Sequence, residues 1–185
     1  MGAGLVGASL VAARRPEIAA REEGIFRAAN GVSDRVRTPV RAVMQAGTFG
    51  TVPAVAAVAW LMGNRRLARS LALGGTAAWL LAKAAKPVGG RARPPGVLED
   101  VTLREHIAGD LGWPSGHTAV ATTLAAILAP ELPDAATPVL VGIVGAVGFG
   151  RMYVGAHLPH DVVGGAGLGL MLSALFERGR PANVR

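Results

Sequence analysis

The sequence predicts an all-α fold, a polytopic membrane helical bundle of about five transmembrane helices with an amphipathic interfacial helix near the amino terminus. Three observations support this prediction. Of the 185 residues, 51% are hydrophobic and only 17% are charged, against about 25% charged in an ordinary soluble domain. The apolar residues fall into long runs, and the turns between them are rich in Gly, Pro and charge. The length suits one domain, which we take as residues 1–185.

The amino-terminal region, residues 1–38, is predicted to lie at the membrane interface. Its first apolar stretch, residues 2–13, is shorter than the roughly 20 residues of a span, so the sequence leaves open whether it spans or lies on the bilayer. From Pro16 to about Val36 we expect an amphipathic helix, because Pro suits a first helical position; a packed soluble helix is the alternative. The predicted apolar face consists of Ile18, Ile25, Phe26, Ala29 and Val32. The charged residues that lie largely outside this face are Arg21, Glu22, Glu23 and Arg27.

Five apolar runs are candidate spans, and they cover residues 42–62, 67–82, 118–129, 137–149 and 162–176. The Gly- and Pro-rich connection after the second run, residues 83–116, is expected to form an active-site loop. Within it, residues 98–108 are expected to form a short surface helix. Gly165 and Gly169 make a GxxxG pair, which allows close helix approach, and a basic tail from residue 177 to 185 follows the last run.

The charge and composition exclude several classes of function. The chain has 19 Lys and Arg against 12 Asp and Glu, a net charge of +7, which indicates an anionic partner. Nucleic acid is disfavoured as that partner, because the basic residues form no stripe and few aromatic side chains are available for stacking. The absence of Cys excludes a disulfide scaffold, a Cys-ligated zinc site and a Cys nucleophile.

Three polar segments interrupt the apolar pattern, and each lies at the end of an apolar run. They extend from Lys86 to Pro94, from Pro114 to His117 and from Arg151 to Asp161. The first two flank one connection, and a hairpin of two spans separates the second from the third. All three segments are therefore expected on the same membrane face.

The cations and helix start in these segments suit phosphate binding. Arg binds phosphate through a bidentate fork, and Lys adds a point charge. Ser115 is predicted as an N-cap with Gly116 in the first turn, where free backbone N–H groups and the helix dipole attract an anion. The predicted phosphate-binding residues are Lys86, Arg93, Ser115, Gly116 and Arg151.

Two histidines and an aspartate suit phosphoryl transfer. His157 and Asp161 are four residues apart, and Pro159 can open a helix between them. Asp161 would hold the His157 imidazole so that its other nitrogen attacks phosphorus. His117 would protonate the leaving oxygen and later activate water.

The motifs that carry these residues resemble a known family. KPVGGRARP, PSGH and GRMYVGAHLPHD follow, in order, the patterns KxxxxxxRP, PSGH and SRxxxxxHxxxD. The chain is therefore similar to the type 2 phosphatidic acid phosphatase superfamily, and in particular to small polyprenyl-diphosphate phosphatases. The resemblance implies a core like that of vanadium haloperoxidases and acid phosphatases. It also implies His157 as nucleophile, Asp161 as its partner, His117 as acid/base, the five phosphate-binding residues above, and neither metal nor cofactor.

One position departs from the family pattern. Gly150 stands where the family usually has Ser before the arginine. We expect this change to remove a hydroxyl from the phosphate pocket and to lower the rate or alter substrate preference.

Other interpretations of these residues remain open at this stage. His157, His160 and Asp161 read as a sparse set of metal ligands, and His106 and Trp113 are candidates for substrate contact. Four loop carboxylates are compatible with two-metal hydrolysis, although a solvated loop face is favoured. They are Glu99, Asp100, Glu105 and Asp110.

The sequence thus predicts an integral membrane lipid phosphate phosphatase that acts through a phosphohistidine. Its expected partners are the bilayer and a lipid phosphate substrate, with an isoprenoid phosphate or diphosphate favoured and phosphatidic acid or phosphatidylglycerol phosphate next. A non-catalytic carrier or scaffold for lipid phosphates is the alternative from another class, and a soluble family member is disfavoured by the apolar runs. The Lys-poor composition, rich in Ala, Arg, Gly and Val, is typical of a GC-rich bacterial genome, so we expect the protein in a bacterial plasma membrane.

Overall fold

The structure is a computed structural model that describes residues 1–177; the basic tail beyond, residues 178–185, lies outside the described residues. The regular elements within 1–177 are helical, which confirms the all-α class, and one isolated antiparallel bridge joins Ala92 to Leu111. The α-helices are α1 (Gly2–Ala13), α2 (Ala20–Asn30), α3 (Arg37–Met44), α4 (Thr51–Leu61), α5 (Arg65–Ala84), α6 (Lys86–Gly89), α7 (Gly116–Leu128), α8 (Thr137–Tyr153) and α9 (Pro159–Glu177).

The centre of the bundle is formed by α5, α7 and α9, with α4 packed against α5. A Cβ atom at Gly165 would lie 2.3 Å from the carbonyl oxygen of Ser115, and one at Gly169 would lie 2.6 Å from Cβ of Thr122. This confirms the close approach predicted for the GxxxG pair. The side chains buried at the centre include Leu71, Ala78, Val120 and Leu124.

The first predicted span, residues 42–62, is wrong as a single helix. The chain divides there into α3 and α4, whose segments are bent by 66°. The break follows a short 3₁₀ turn, Gln45–Gly47, and the hydroxyl of Thr48 donates to the carbonyl of Gln45 at 2.9 Å. Gly47 packs so closely against the start of α7 that a Cβ atom would lie 2.6 Å from the carbonyl oxygen of His117.

The amphipathic helix predicted from Pro16 to Val36 is also shorter than expected. Helix α2 begins at Ala20, and a separate 3₁₀ turn follows it at Asp34–Val36. The predicted apolar face is partly wrong, because Ile25 is 47% exposed while the carboxylate-bearing Glu22 is buried. Glu22 is buried because the guanidinium of Arg91, which is also buried, lies opposite it. Helix α1 packs along α9.

The predicted count of five membrane spans is not confirmed. By length and hydropathy, one helical run in the described part of the chain qualifies as a span, Asp134–Tyr153, with a mean hydropathy of 1.5. The bent pair of α3 and α4 would add a second if it is one broken span. Helix α7 falls short because it has only 13 residues, and α5 begins with several arginines.

The surface helix predicted for residues 98–108 is wrong. The segment is irregular and is held by side chains from other elements. Asn30 donates to the carbonyl of Thr102 at 2.9 Å and accepts from its N–H at 2.9 Å. The guanidinium of Arg104 is buried and donates to Asp34 at 2.6 Å. These bonds replace the internal hydrogen bonds of a helix.

Candidate active site

One cavity of about 310 Å³ lies at the end of the bundle where α5 ends and α7 begins. It brings together residues from all three polar segments. Ser115 and Asp161 are fully buried and lie outside its lining. The predicted site residues that line it are Lys86, Arg93, Gly116, His117, Arg151 and His157.

Backbone pairing folds the active-site loop so that its first cation reaches the cavity. On either side of the Ala92–Leu111 bridge, hydrogen bonds of 2.8 and 2.9 Å join residues 91–93 to residues 110–112. Lys86 is the first residue of α6, and its Nζ donates to the carbonyls of Leu111 at 2.7 Å and Gly112 at 3.2 Å. The ammonium group is thus positioned by main-chain atoms.

The two arginines of the cavity differ in their partners. Arg151, near the end of α8, pairs with the carboxylate of Glu105, which also lines the cavity. The buried Nε–H of Arg151 has no hydrogen-bond partner in the described residues. Within residues 1–177 the guanidinium of Arg93 donates to carbonyl oxygens and not to a carboxylate, so its charge remains available to an anion. Its acceptors are Gly109 at 2.8 Å, Ala156 at 2.9 Å and Ala108 at 3.1 Å.

The start of α7 has the predicted cap. The Ser115 hydroxyl accepts from the N–H of Thr118 at 3.5 Å and from the Thr118 hydroxyl at 3.1 Å. The N–H of Ser115 donates to the carbonyl of Asp161 at 2.9 Å, which ties α7 to α9. Gly116 and His117 line the cavity, so the positive end of the helix dipole lies at its wall.

His157 lies in the turn between α8 and α9, and Pro159 opens α9 as predicted. Nδ1 of His157 lies 3.4 Å from Oδ2 of Asp161. The same oxygen accepts from the N–H of Leu158 at 2.9 Å. The His157–Asp161 contact is longer than a normal hydrogen bond, and such contacts commonly tighten when substrate binds. Asp161 is therefore placed to orient the imidazole from behind the cavity.

The electrostatics of the cavity affect two groups outside the long helices. Burial, together with Arg151, Arg93 and Lys86, holds the pKa of His157 well below its ordinary value. A neutral imidazole follows, which is the form that can act as a nucleophile. Burial and then the charge of Arg93 lower the pKa of Lys86 to about 8.

One wall of the cavity is apolar. The rings of Phe49 and Trp79 lie with their centroids 4.8 Å apart. Nζ of Lys83 lies 3.6 Å from the centroid of the Trp79 ring, a cation–π contact. Ile107 lines the same cavity. The cavity thus combines an anion-binding side with a surface suited to hydrocarbon.

Gly150 does not have the setting expected from the sequence. A Cβ atom there would lie 2.4 Å from Cγ and 2.7 Å from Sδ of Met44, and 3.3 Å from Val40. The position faces α3 rather than the cavity lining. The expectation that Gly150 removes a hydroxyl from the phosphate pocket is therefore wrong, because close packing of α8 on α3 accounts for the glycine.

The remaining candidates divide between the cavity and the core. His106 and Glu105 line the cavity. Trp113 is instead buried, and its indole N–H donates to the Ser9 hydroxyl at 3.1 Å. Nδ1 of His160 lies 2.8 Å from Oε1 of Glu22. Of the four loop carboxylates, Glu99, Asp100 and Asp110 do not line the cavity.

Sequence reasoning missed a buried ion pair beside Asp161. Both terminal nitrogens of Arg91 donate to the carboxylate of Glu22, at 2.8 and 2.7 Å. The periodicity of α2 placed Glu22 among the charged residues outside the apolar face, and Arg91 is 69 residues away. The one signal for this ion pair in the sequence was the position of Arg91 between Lys86 and Arg93, the two cations of the first motif.

The chain belongs to the PAP2 superfamily, whose sequence profile matches residues 66–185. This confirms the resemblance to type 2 phosphatidic acid phosphatases. An undecaprenyl-diphosphatase of Sulfolobus acidocaldarius is 30% identical over 126 residues, which cover 67% of this chain and 60% of that protein.

Two solved structures are similar to this one. LpxE of Aquifex aeolicus has a TM-score of 0.79 at 23% identity, with 88% of this chain and 98% of that chain covered. The first transmembrane PAP2 type phosphatidylglycerolphosphate phosphatase, from Bacillus subtilis, has a TM-score of 0.80 at 22% identity, with 98% of both chains covered. At these identities the likeness shows the fold.

Proposed function

We propose that this protein is an integral membrane lipid phosphatase that hydrolyses a lipid phosphomonoester or diphosphate through a phosphohistidine. The observation that carries the proposal is one cavity whose lining includes His117, His157 and the predicted phosphate-binding cations Lys86, Arg93 and Arg151, with Asp161 behind His157. A structural role for these charges would not require two imidazoles at the wall of the same cavity. The arrangement supplies a nucleophile, an orienting carboxylate, an acid/base and an anion clamp.

In the first half of the proposed reaction, the free nitrogen of His157 attacks phosphorus. An N–P bond forms as the P–O bond to the lipid breaks, and protonated His117 gives its proton to the leaving oxygen. Lys86, Arg93 and Arg151 stabilise the charge on the other phosphoryl oxygens. The negative charge of the bound phosphate favours the protonated form of His117 needed for this step.

In the second half, neutral His117 takes a proton from a water molecule, and the oxygen attacks phosphorus. The N–P bond breaks, inorganic phosphate leaves, and His157 returns to its neutral form. This cycle needs no metal and no cofactor, and the proton taken from water stays on His117 while the phosphate is bound.

A polyprenyl diphosphate is the proposed first-choice substrate, with phosphatidic acid or phosphatidylglycerol phosphate next. The similarity to the undecaprenyl-diphosphatase of Sulfolobus acidocaldarius supports this order. The apolar lining residues Phe49, Trp79 and Ile107 would contact the first carbons of a lipid chain. Lys83 at this wall would add a cation beside a second phosphate group.

Several helices expose apolar residues outward, which supports a position within a membrane. On α8, Val139 and Val141 are each more than 60% exposed, more apolar surface than a solvated helix usually presents. The transmembrane description of the Bacillus protein supports the same location. We propose a bacterial plasma membrane as its location.

The direct test is phosphate release by the detergent-purified chain from a panel of lipid phosphates and diphosphates, with EDTA present. We expect the wild type to be active and His157→Ala to lose roughly 10³-fold or more in kcat. His106→Ala, the same substitution in the same cavity, should retain measurable phosphate release. Full activity of His157→Ala, or loss of wild-type activity in EDTA, would contradict the mechanism.

A second test looks for the intermediate itself. An aryl phosphate with an acidic leaving group needs little help from a general acid, so His117→Ala should still be phosphorylated by it but hydrolyse the intermediate slowly. We expect an acid-labile phosphoenzyme to accumulate in His117→Ala and none in the His117→Ala/His157→Ala double variant. Tight lipid-phosphate binding by a wild type that releases no phosphate would instead favour the carrier.

A further inference from the structure

Arg91 belongs to the same segment as Lys86 and Arg93, but its side chain lies outside the cavity. Its guanidinium is buried between α2 and the first turn of α9, with 7% of the side chain exposed. On one side it binds both carboxylate oxygens of Glu22. On the other, its Nη1 lies 3.6 Å from Oδ1 of Asp161. One buried cation therefore joins two buried carboxylates.

Asp161 has few other sources of compensation for its charge. It is fully buried, and Oδ2 is engaged by Leu158 and lies next to His157. Oδ1 has no hydrogen-bond partner within residues 1–177. Because a buried carboxylate keeps its charge only near compensating groups, the guanidinium of Arg91 stabilises the ionised form.

Glu22 fixes the geometry of this contact. Its two hydrogen bonds to Arg91 are bidentate, which sets the plane of the guanidinium. It also accepts the N–H of His160, the residue before Asp161, at 3.1 Å. Burial alone would raise the pKa of Glu22, but the hydrogen bonds from Arg91 and His160 hold it below its ordinary value. The ionised Glu22 thus holds both Arg91 and the first turn of α9.

We propose that Arg91, held by Glu22, is a positioning residue that keeps Asp161 ionised and thereby fixes the orientation of His157. This inference rests on the phosphatase function proposed above. Neither Arg91 nor Glu22 contacts the reacting atoms, so both act through Asp161.

The proposal predicts opposite effects of the two charges on the pH profile. The charged or titratable groups that act on Asp161 are the cations Arg91, Lys86 and Arg93, the anion Glu22 and the imidazole of His157. Loss of the Arg91 cation makes Asp161 easier to protonate. The acid limb, which is the fall of kcat on the acidic side of its pH profile, therefore moves to higher pH. Loss of the Glu22 charge removes a repelling anion, so the limb moves to lower pH.

The experiment measures kcat and KM across pH for the full chain in detergent with a polyprenyl diphosphate. For Arg91→Met we expect kcat to fall roughly tenfold, KM to stay near the wild-type value and the acid limb to rise by about one pH unit. Glu22→Gln should lower that limb. Arg104→Met is the matched control, because Arg104 is also a buried arginine paired with a carboxylate but has no contact with Asp161. Its acid limb should stay in place.

Two results would overturn the proposal: an unmoved acid limb in Arg91→Met, or shifts in the same direction for Arg91→Met and Glu22→Gln. If Arg91→Met fails to fold because Glu22 is left unpaired, the double variant Glu22→Gln/Arg91→Met removes both charges. It should fold, show reduced kcat and retain an upward shift, and an unmoved limb there would also overturn the proposal.

A readout without turnover separates this proposal from the proposed function. A wild type that releases no phosphate would defeat the phosphatase assignment. In ¹⁵N-histidine NMR spectra, the pH at which the His157 ring signals respond to protonation of Asp161 should still rise in Arg91→Met. An unchanged midpoint would overturn the positioning role whatever the activity.

Discussion

The arginines at the two ends of the helical bundle differ in their burial and in their partners. At the end that carries the α4–α5 turn, Arg65, Arg66 and Arg69 are exposed. At the cavity end, Arg91, Arg104 and Arg151 are buried and engaged by carboxylates or carbonyls. The chain therefore uses the same residue type as a surface charge at one end and as a fixed, desolvated charge at the other. The comparison teaches that the excess of base alone does not identify functional cations, because arginines at the two ends differ in burial and in partners.

The largest expected effect comes from removing a cavity arginine. Arg151→Met should lower kcat/KM for phosphate release by roughly 10²- to 10³-fold, because it removes a cation from the phosphate side and leaves the Glu105 carboxylate unpaired there. The control at the other end is Arg65→Met, whose guanidinium lies 5.1 Å from the ring centroid of Trp60; its activity should not change.

The added variant Arg151→Met/Glu105→Gln separates the two causes. It should recover part of the lost activity, because no unpaired anion then faces the substrate. Equal losses of kcat/KM in Arg151→Met and Arg65→Met would contradict the functional difference between arginines at the two ends of the bundle.

The second expected effect is a pH dependence. Because the pKa of Lys86 is lowered to about 8, the ammonium is charged below that pH and loses its proton above it. Wild-type kcat/KM should therefore fall above about pH 8, by up to about tenfold per pH unit. Lys86→Met should bind phosphate more weakly below about pH 8, where wild-type Lys86 is charged, and should lack this step. An unchanged alkaline step in Lys86→Met would assign the titration to another group.

The third expected effect is on stability beside the cavity. Gly150→Ser should lower the free energy of unfolding by roughly 1–3 kcal/mol, because its Cβ would overlap Met44. Thermal unfolding in detergent measures the change. The double variant Gly150→Ser/Met44→Ala should recover part of the loss, and if it recovers none, the contact with α3 is not the cause.

The smallest expected effect compares one helix cap at each end. Asn64 caps α5 by accepting the N–H of Leu67 at 3.0 Å, and Ser115 caps α7. Asn64→Ala and Ser115→Ala should each lower stability by about 1 kcal/mol. Only Ser115→Ala should also reduce phosphate release. Unfolding curves of the two variants measure the stability, and kinetic assays measure the phosphate release. Equal activities would mean that the start of α7 needs no cap for its role.

Much of the helical order could be predicted because hydrophobic periodicity and end signals act locally. Helices α5, α8 and α9 lie where the apolar runs placed them, and the Ser115 cap and the Pro159 start were both predicted correctly. The residues of the three motifs converge because helix ends at one side of a bundle are neighbours. These features depend on contacts within a few residues or on chain topology.

The errors arose where distant partners override local preference. Asn30 and Arg104 hold the segment predicted as a surface helix in an irregular path. Glu22 is buried because Arg91 lies opposite it, a pairing that hydrophobicity alone treats as unfavourable. The bend between α3 and α4 accompanies the close packing of Gly47 on α7. Each depends on a contact that single-sequence periodicity does not contain.

The way Lys86 and Arg93 are held has a consequence for how this protein can diverge. Their hydrogen bonds end on carbonyl oxygens of Ala108, Gly109, Leu111, Gly112 and Ala156. A carbonyl is present whatever side chain a residue carries, so substitutions at Ala108 or Leu111 can alter the loop surface without removing these acceptors. Gly109, which has a φ of +72°, and Gly112, where a Cβ atom would lie 2.6 Å from Oδ2 of Asp161, do not share this freedom. Insertions or deletions, which shift the backbone path, would not be tolerated in the same way. The loop can therefore acquire new side chains for new lipid headgroups while its length stays fixed.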